Sequence, residues 1–221
     1  RYFTGKKVPV LQTFAAYVEA SYSPSRTEIL IGPRGTKLGS IFNELQRVKQ
    51  KMSSKLTFIY VKSLYPKFRY ADLASHPAIC IWPYAVSTIS MFEYYRMNIP
   101  LLVPSVDLLY KWHKKTNFFK ERTWPGTRGR PVRVSLIPRH EDAGDIPFDP
   151  NNEFDEKAWK YWVSLSDFYV WPYITRFDSL EDLINKLTSM PFREISFNMS
   201  VYNVQLRNKQ LAQWRNLLKP A

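Results

Sequence analysis

Short apolar runs alternate with longer amphipathic stretches along most of the chain, and that rhythm predicts the fold. "TEILIG" gives a strand over Glu28 to Ile31 that runs into a loop with glycines at 32, 35 and 39. "SIFNELQRVKQKM" then places Ile41, Leu45, Val48 and Met52 at helical spacing behind Ser40, a good N-cap residue type. "KLTFIYVKS" is rich in β-branched and aromatic residues and reads as a second strand. A short element, "YADLAS", leads to a third strand at "AICIW", a helix from about Val86 to Met97, and a fourth strand at "IPLLVPS". "VDLLYKWHKK" follows as another helix. Parallel strands cannot be joined by tight hairpins, so this alternation predicts an α/β fold: a Rossmann-like parallel sheet flanked by helices.

Two regions depart from the rhythm. Residues 8–20, "VPVLQTFAAYVEA", have helical spacing and end in the turn-rich "SYSPS", so residues 1–25 read as an N-terminal helix and linker ahead of a domain spanning 26–221. From Asn117 to about Glu156, prolines, glycines and arginines 122, 128, 130, 133 and 139 precede a run of acidic residues. This reads as a long irregular insertion, with a short strand available at "VRVSL" and a function or mobility of its own. Beyond it, "KAWKYWVSLS" resumes the alternation, "DFYVWPYI" reads as a core strand, and "FDSLEDLINKLTSM" as a helix capped by Asp178 or Ser179. One long or broken helix closes the chain over about 194–218.

Composition narrows the class. The 221 residues are 45% hydrophobic, enough for a sizeable core, and no apolar run is long enough to cross a bilayer as a helix. The chain begins at Arg1 without the apolar segment of a signal peptide, which fits a piece cut from a longer protein and leaves both cytoplasm and secretory-pathway lumen open. The single cysteine, Cys80, lies in the apolar run "AICIW" and reads as a buried structural thiol. Histidines 76, 113 and 140 do not pair with it at a metal-ligand spacing, so no metal site is expected. A formal charge of +13 favours anionic partners: nucleic acid, phosphorylated small molecules or an acidic membrane surface.

In an open parallel sheet, ligands sit at the carboxyl ends of the strands, where loops enter helix N-termini. The first such place is "IGPRGTKLGS": Gly32 and Gly35 let backbone approach an anion, and Arg34 and Lys37 add positive charge. It matches neither a P-loop nor the full dinucleotide fingerprint, and an ordinary strand-to-helix turn explains it as well. The second is "WPYAVSTISMFE", where Tyr84 follows the strand and Ser87, Thr88 and Ser90 open the next helix. Its backbone amides suit a phosphate, and the carboxylate of Glu93 can accept two hydrogen bonds, as vicinal ribose hydroxyls would offer. The plainer reading is that the hydroxyls cap the helix while Glu93 pairs with Arg96 or a lysine. The third, "DFYVWPYITRFDSLEDL", is architecture. The sequon Asn198-Met199-Ser200 would accept a glycan in a secretory protein, although a chance match explains it equally. No nucleophile elbow is present, and Asp107, Asp145 and Asp167 are isolated carboxylates.

The order of "EILIGPRG", "LTFIYVKS", "YADLASHPAICIWPYAVSTISMFEYYRMNIPLLVPS", "YITRFDSLEDLINKL" and "SVYNVQLRNKQLAQWRNLL" resembles the C-terminal, nucleotide-sugar-binding domain of GT-B glycosyltransferases. That resemblance implies that Ser87, Thr88 and Ser90 meet the donor diphosphate and that Glu93 holds the ribose. "YAVSTISMFE" carries serines and threonine where many members of that family have glycine. The resemblance further implies a nucleotide-diphosphate sugar as donor, with no obligatory cofactor, and a glycan or other hydroxyl as acceptor. Arg34, Lys37 or Lys62 would stabilise the leaving diphosphate. GT-B enzymes have two Rossmann-like domains and this chain has strands for one: either an N-terminal Rossmann-like domain lies elsewhere in a longer chain, or this fold binds a nucleotide sugar without completing catalysis, and no catalytic base is assigned here. The alternative is a noncatalytic α/β binding or scaffolding module whose basic insertion contacts nucleic acid or an acidic partner, and a different nucleotide-using transferase on the same kind of sheet is a weaker third.

Overall fold

Residues 79–81 and 101–103 send alternate side chains to opposite faces of one sheet, and both faces are buried. Ile79, Ile81, Leu101 and Val103 enter one apolar layer together with Leu30. Cys80 and Leu102 enter the other, with Ile29 and Ile31. The period-two alternation of strand side chains therefore feeds two cores, which is why these segments read as continuous apolar runs. The computed structural model describes residues 1–8, 10–32 and 39–218.

Five strands form the sheet: β1 (Ile29–Gly32), β2 (Phe58–Tyr60), β3 (Ile79–Ile81), β4 (Leu101–Pro104) and β5 (Thr175–Phe177). Their order is β2-β1-β3-β4-β5, and every pairing is parallel. The protein is an α/β fold with a Rossmann-like all-parallel sheet. Its strands progress in opposite directions from the β1–β3 boundary, which makes that boundary the topological switch point.

One face is covered by α1 (Gly39–Lys51), by α9 (Leu180–Ser189) and by Leu108 and Trp112 of α5 (Val106–Thr116). The other is covered by α2 (Val61–Leu64), α3 (Tyr70–Ala74), α4 (Ile89–Arg96), α7 (Glu156–Ser164), α8 (Asp167–Val170) and α10 (Phe192–Leu217). Local chemistry starts several of these helices. Ser179 accepts a hydrogen bond from the Asp182 amide at 3.0 Å, and Asp155 accepts from the amides of Lys157 and Ala158 at 2.7 and 3.2 Å. Asn117 closes α5 in the left-handed conformation, φ 48°, with its amide on the His113 carbonyl. The closing helix α10 is fastened by Asn203, whose Nδ2 donates to the Tyr95 carbonyl at 3.0 Å and to Asn98 Oδ1 at 2.7 Å. No helix among the described residues is long and apolar enough to cross a membrane.

Several expected elements differ. The N-terminal helix over 8–20 is not formed: the described part of that segment is irregular, with one turn near Ala16. The chain just after it is tied to the body of the protein, since Tyr22 N donates to Met97 O and Ser23 N to Ala74 O. Ala15 and Val18 are buried in the α4 layer, so tertiary packing overrides the helical spacing. "DFYVWPYI" begins with the single turn α8, and the strand lies further on at Thr175–Phe177. Tyr169 explains the difference: its hydroxyl donates to Pro104 O at 2.8 Å, so α8 seats its aromatic side chains on the end of β4. No strand forms at "VRVSL", where a lone bridge joins Val132 and Asn152.

The 117–156 insertion contains the short helix α6 (Trp124–Thr127) and a 3-10 turn at Glu141–Ala143. Its arginines are not uniformly exposed. The Arg122 side chain is 1% accessible, pairs with Glu153 Oε2 at 3.2 Å, and donates to the carbonyls of Pro150 and Asn152 at 2.9 and 2.6 Å. A basic residue read as part of an anionic-partner surface is instead the internal fastening of the insertion.

Candidate functional site

The carboxyl ends of β1 and β3 lie side by side, with Gly32 in register with Ile81 and the Trp82 amide donating to Gly32 O at 3.2 Å. The loops that leave these two strands therefore start from one place. Gly32 is the last described residue of the first; Arg34, Gly35 and Lys37 lie outside the described residues. A side chain at Gly32 would sit 3.3 Å from Val61 Cγ2 and 3.4 Å from the Tyr94 hydroxyl, so the glycine makes room for α2 and α4 to close on the strand end.

The second loop leads from Trp82 through Tyr84 to α4. Residue 121 of the insertion pairs with it: Glu121 N meets Tyr84 O and Val86 N meets Glu121 O, both at 3.4 Å. The helix starts at Ile89, three residues later than its pattern predicts, because Thr88 is extended at φ −143° and ψ 137°. Thr88 occupies the N-cap position, but its hydroxyl caps nothing. It is 7% exposed, and Oγ1 has no hydrogen-bond partner among the described residues. Ser87 is exposed beside it. Burial pushes the phenol of Tyr94, one turn on from Ser90, up to about 12.

Two further polar atoms are orphaned near this edge. Tyr60, the last residue of β2, and Trp82, just past β3, stack edge to face with ring centroids 6.0 Å apart. Neither the Tyr60 hydroxyl nor the Trp82 indole nitrogen has a partner among the described residues. Burial pushes the Tyr60 phenol up to about 12. Buried polar groups without partners are rare in native proteins; Tyr60 and Trp82 lie against Phe42 and Trp112 in the α1 layer, whereas Thr88 starts α4, which covers the other face.

Glu93 departs from the plainer of the two expectations made for it. Among the described residues it pairs neither with Arg96, whose guanidinium lies 5.4 Å over the Phe14 ring, nor with a lysine. Its Oε1 accepts hydrogen bonds from the hydroxyls of Tyr17 and Tyr70, each at 2.7 Å. The Tyr17 phenol is pushed up chiefly by this bond; at Tyr70 burial is the larger cause, followed by the same bond. Lys62 is exposed on α2, with its ammonium 5.7 Å from the Phe68 ring centroid.

No family model, curated protein or solved structure matches the chain.

The structure brings Gly32, Tyr84, Thr88 and Ser90 to the switch point and leaves Ser87 at its surface. Glu93 lies one turn further along α4, with one carboxylate oxygen already doubly bonded. Sequence reasoning missed Tyr17, Tyr70, Tyr60 and Trp82. Tyr60 carried a usable signal, as the last apolar residue of a strand that enters a turn. Tyr17 carried none, because its segment has helical spacing. Among the described residues no group of three or more His, Cys, Asp or Glu side chains is placed to hold a metal. Cys80 is fully buried, and burial pushes its thiol well up, away from nucleophile chemistry.

Proposed function

We propose that this chain is a donor-binding domain of GT-B type, which takes a nucleotide-diphosphate sugar at the β1–β3 switch point and serves transfer of the sugar to an acceptor hydroxyl. The observation that carries the reading is Thr88: a buried hydroxyl without a partner among the described residues, at the N-terminus of an eight-residue helix that starts at that switch point. A diphosphate placed there would accept from the Thr88 and Ser87 hydroxyls and from the Ile89 and Ser90 amides, the Met91 amide being bonded to the Thr88 carbonyl at 3.1 Å.

In the transfer itself the acceptor oxygen forms a bond to the anomeric carbon while the bond to the diphosphate breaks, and the diphosphate departs with the electron pair. The growing negative charge would be met by the helix N-terminus and by the cations at positions 34, 37 and 62. Glu93 would hold the ribose through Oε2, with Tyr17 and Tyr70 fixing the carboxylate through Oε1. The acceptor and the catalytic base belong, on this reading, to a second Rossmann-like domain.

Calorimetric titration with UDP, GDP, ADP and dTDP and their sugar conjugates, at moderate salt, tests it. Selective, saturable binding of one nucleotide is expected. Binding of none, or equal and steeply salt-dependent binding of all, would point to diffuse attraction by a basic chain and end the proposal.

A further inference from the structure

A second concave site lies between the last turn of α5 and the insertion. It is a cavity of about 470 Å³, walled by Tyr110, His113, Phe119 and Phe154, with Lys114 and Lys120 at its opening. None of these residues takes part in the nucleotide reading. Phe119 and Lys120 line one side, and the next residue, Glu121, is hydrogen-bonded through its backbone to the loop at Tyr84 and Val86.

Its charge is unbalanced. Lys115, one residue away, pairs with Glu44 at 3.8 Å, and Lys160 of α7 is held by Asp107 and Glu156, each at 2.6 Å. Lys114 and Lys120 have no ion pair among the described residues. The one acid in the lining, Glu153, is neutralised by Arg122 at 3.2 Å and by the Thr123 hydroxyl at 2.5 Å. At the rim, Arg128 stacks 4.4 Å from the Trp124 ring centroid and Arg133 4.5 Å from that of Phe154. Trp124 remains 67% exposed. Inside, the His113 ring stacks on Trp159 with Nδ1 unpartnered, leaving a polar atom in an otherwise aromatic wall.

We propose that this cavity binds a compact anion, a phosphoryl or carboxylate group carried on a sugar-sized frame. The anion sits between Lys114 and Lys120, and the frame lies against Phe119 and Phe154. Unpaired ammonium groups supply the charge complement, and the aromatic walls supply flat apolar surface of the kind a sugar ring covers. The inference is independent of the nucleotide site.

The test is titration of the 221-residue chain with glucose 6-phosphate, glucuronate and neutral glucose at moderate salt. Saturable binding of one of the two anions over glucose is expected, and which of them binds distinguishes a phosphoryl from a carboxylate ligand. A Lys114→Ala/Lys120→Ala variant should lose at least about tenfold in affinity with unchanged thermal unfolding, since both side chains are exposed. A Lys67→Ala/Lys209→Ala variant, with the same charge change elsewhere, should bind as the parent does. Equal loss in both variants, binding that survives the first, or no binding of either anion would overturn the assignment. So would displacement of the probe by a single-stranded oligonucleotide with steep salt dependence, which would assign the face to nucleic acid. A Thr88→Val variant should keep this site intact, so failure here and failure of the nucleotide reading are told apart.

Discussion

The Tyr70 hydroxyl donates to Glu93 Oε1 at 2.7 Å, and the Tyr17 hydroxyl reaches the same oxygen from the N-terminal segment. One carboxylate thus joins α3, α4 and the chain that precedes the sheet. Hydrogen bonds to a charged acceptor contribute about 1.5–3 kcal/mol when shielded and less when exposed. Tyr70→Phe should therefore cost about 1–2 kcal/mol in urea unfolding, and Tyr17→Phe less, because Tyr17 is 61% exposed. Equal costs would mean that the N-terminal segment is held as firmly as α3.

Thr88 separates stability from binding. Thr88→Val removes a buried hydroxyl that has no partner among the described residues, so the unliganded protein should be unchanged or up to about 1 kcal/mol more stable. Nucleotide affinity should fall about fivefold to tenfold, the usual loss for one hydrogen bond. A destabilised variant with full affinity would place the hydroxyl in the architecture rather than in the site.

Stability should fall as the solution is acidified below neutrality. His76 is fully buried, with Nδ1 2.8 Å from the Glu28 carbonyl and Nε2 2.9 Å from the Tyr65 hydroxyl, while the Glu28 carboxylate and Arg26 are the charges nearby. Those bonds fit a neutral ring that donates from Nδ1 and accepts at Nε2. Burial lowers its pKa, as it does for His113. The unfolded chain then takes up protons first, so stability is full above about pH 6.5 and declines as pH falls from there toward the folded values. Urea midpoints measured across that window should drop, and a His76→Gln/His113→Gln variant should flatten the slope.

Arg122→Ala should be severe. It leaves the Glu153 carboxylate and two carbonyls without their cation in a site where Arg122 is 1% accessible, and breaking such pairs costs about 3–5 kcal/mol. Limited proteolysis should then cut within 122–153 well before the sheet opens. A resistant variant would show that the insertion is held by its other contacts.

The sheet was legible because its strands are buried on both faces and its helices carry caps that can be read, such as Ser179 before "LEDL". The N-terminal segment was not. Apolar spacing cannot distinguish an isolated amphipathic helix from an irregular chain laid on a ready-made apolar layer, which is the state of Ala15 and Val18. Charge misled at Arg122, since composition does not tell a solvated arginine from one that closes a loop. Glu93 was found from its place on the α4 pattern, but its tyrosine partners come from residues 17 and 70, distances in sequence that no local rule spans.

The most direct test is a proton–nitrogen correlation spectrum of the labelled chain, titrated with whichever nucleoside diphosphate binds tightest. The account predicts that the largest shifts fall on the amides of Ser87 to Met91 and on Gly32, with smaller ones at Tyr70 and Glu93. Shifts concentrated on residues 120–133, or spread evenly over exposed lysines and arginines, would contradict it.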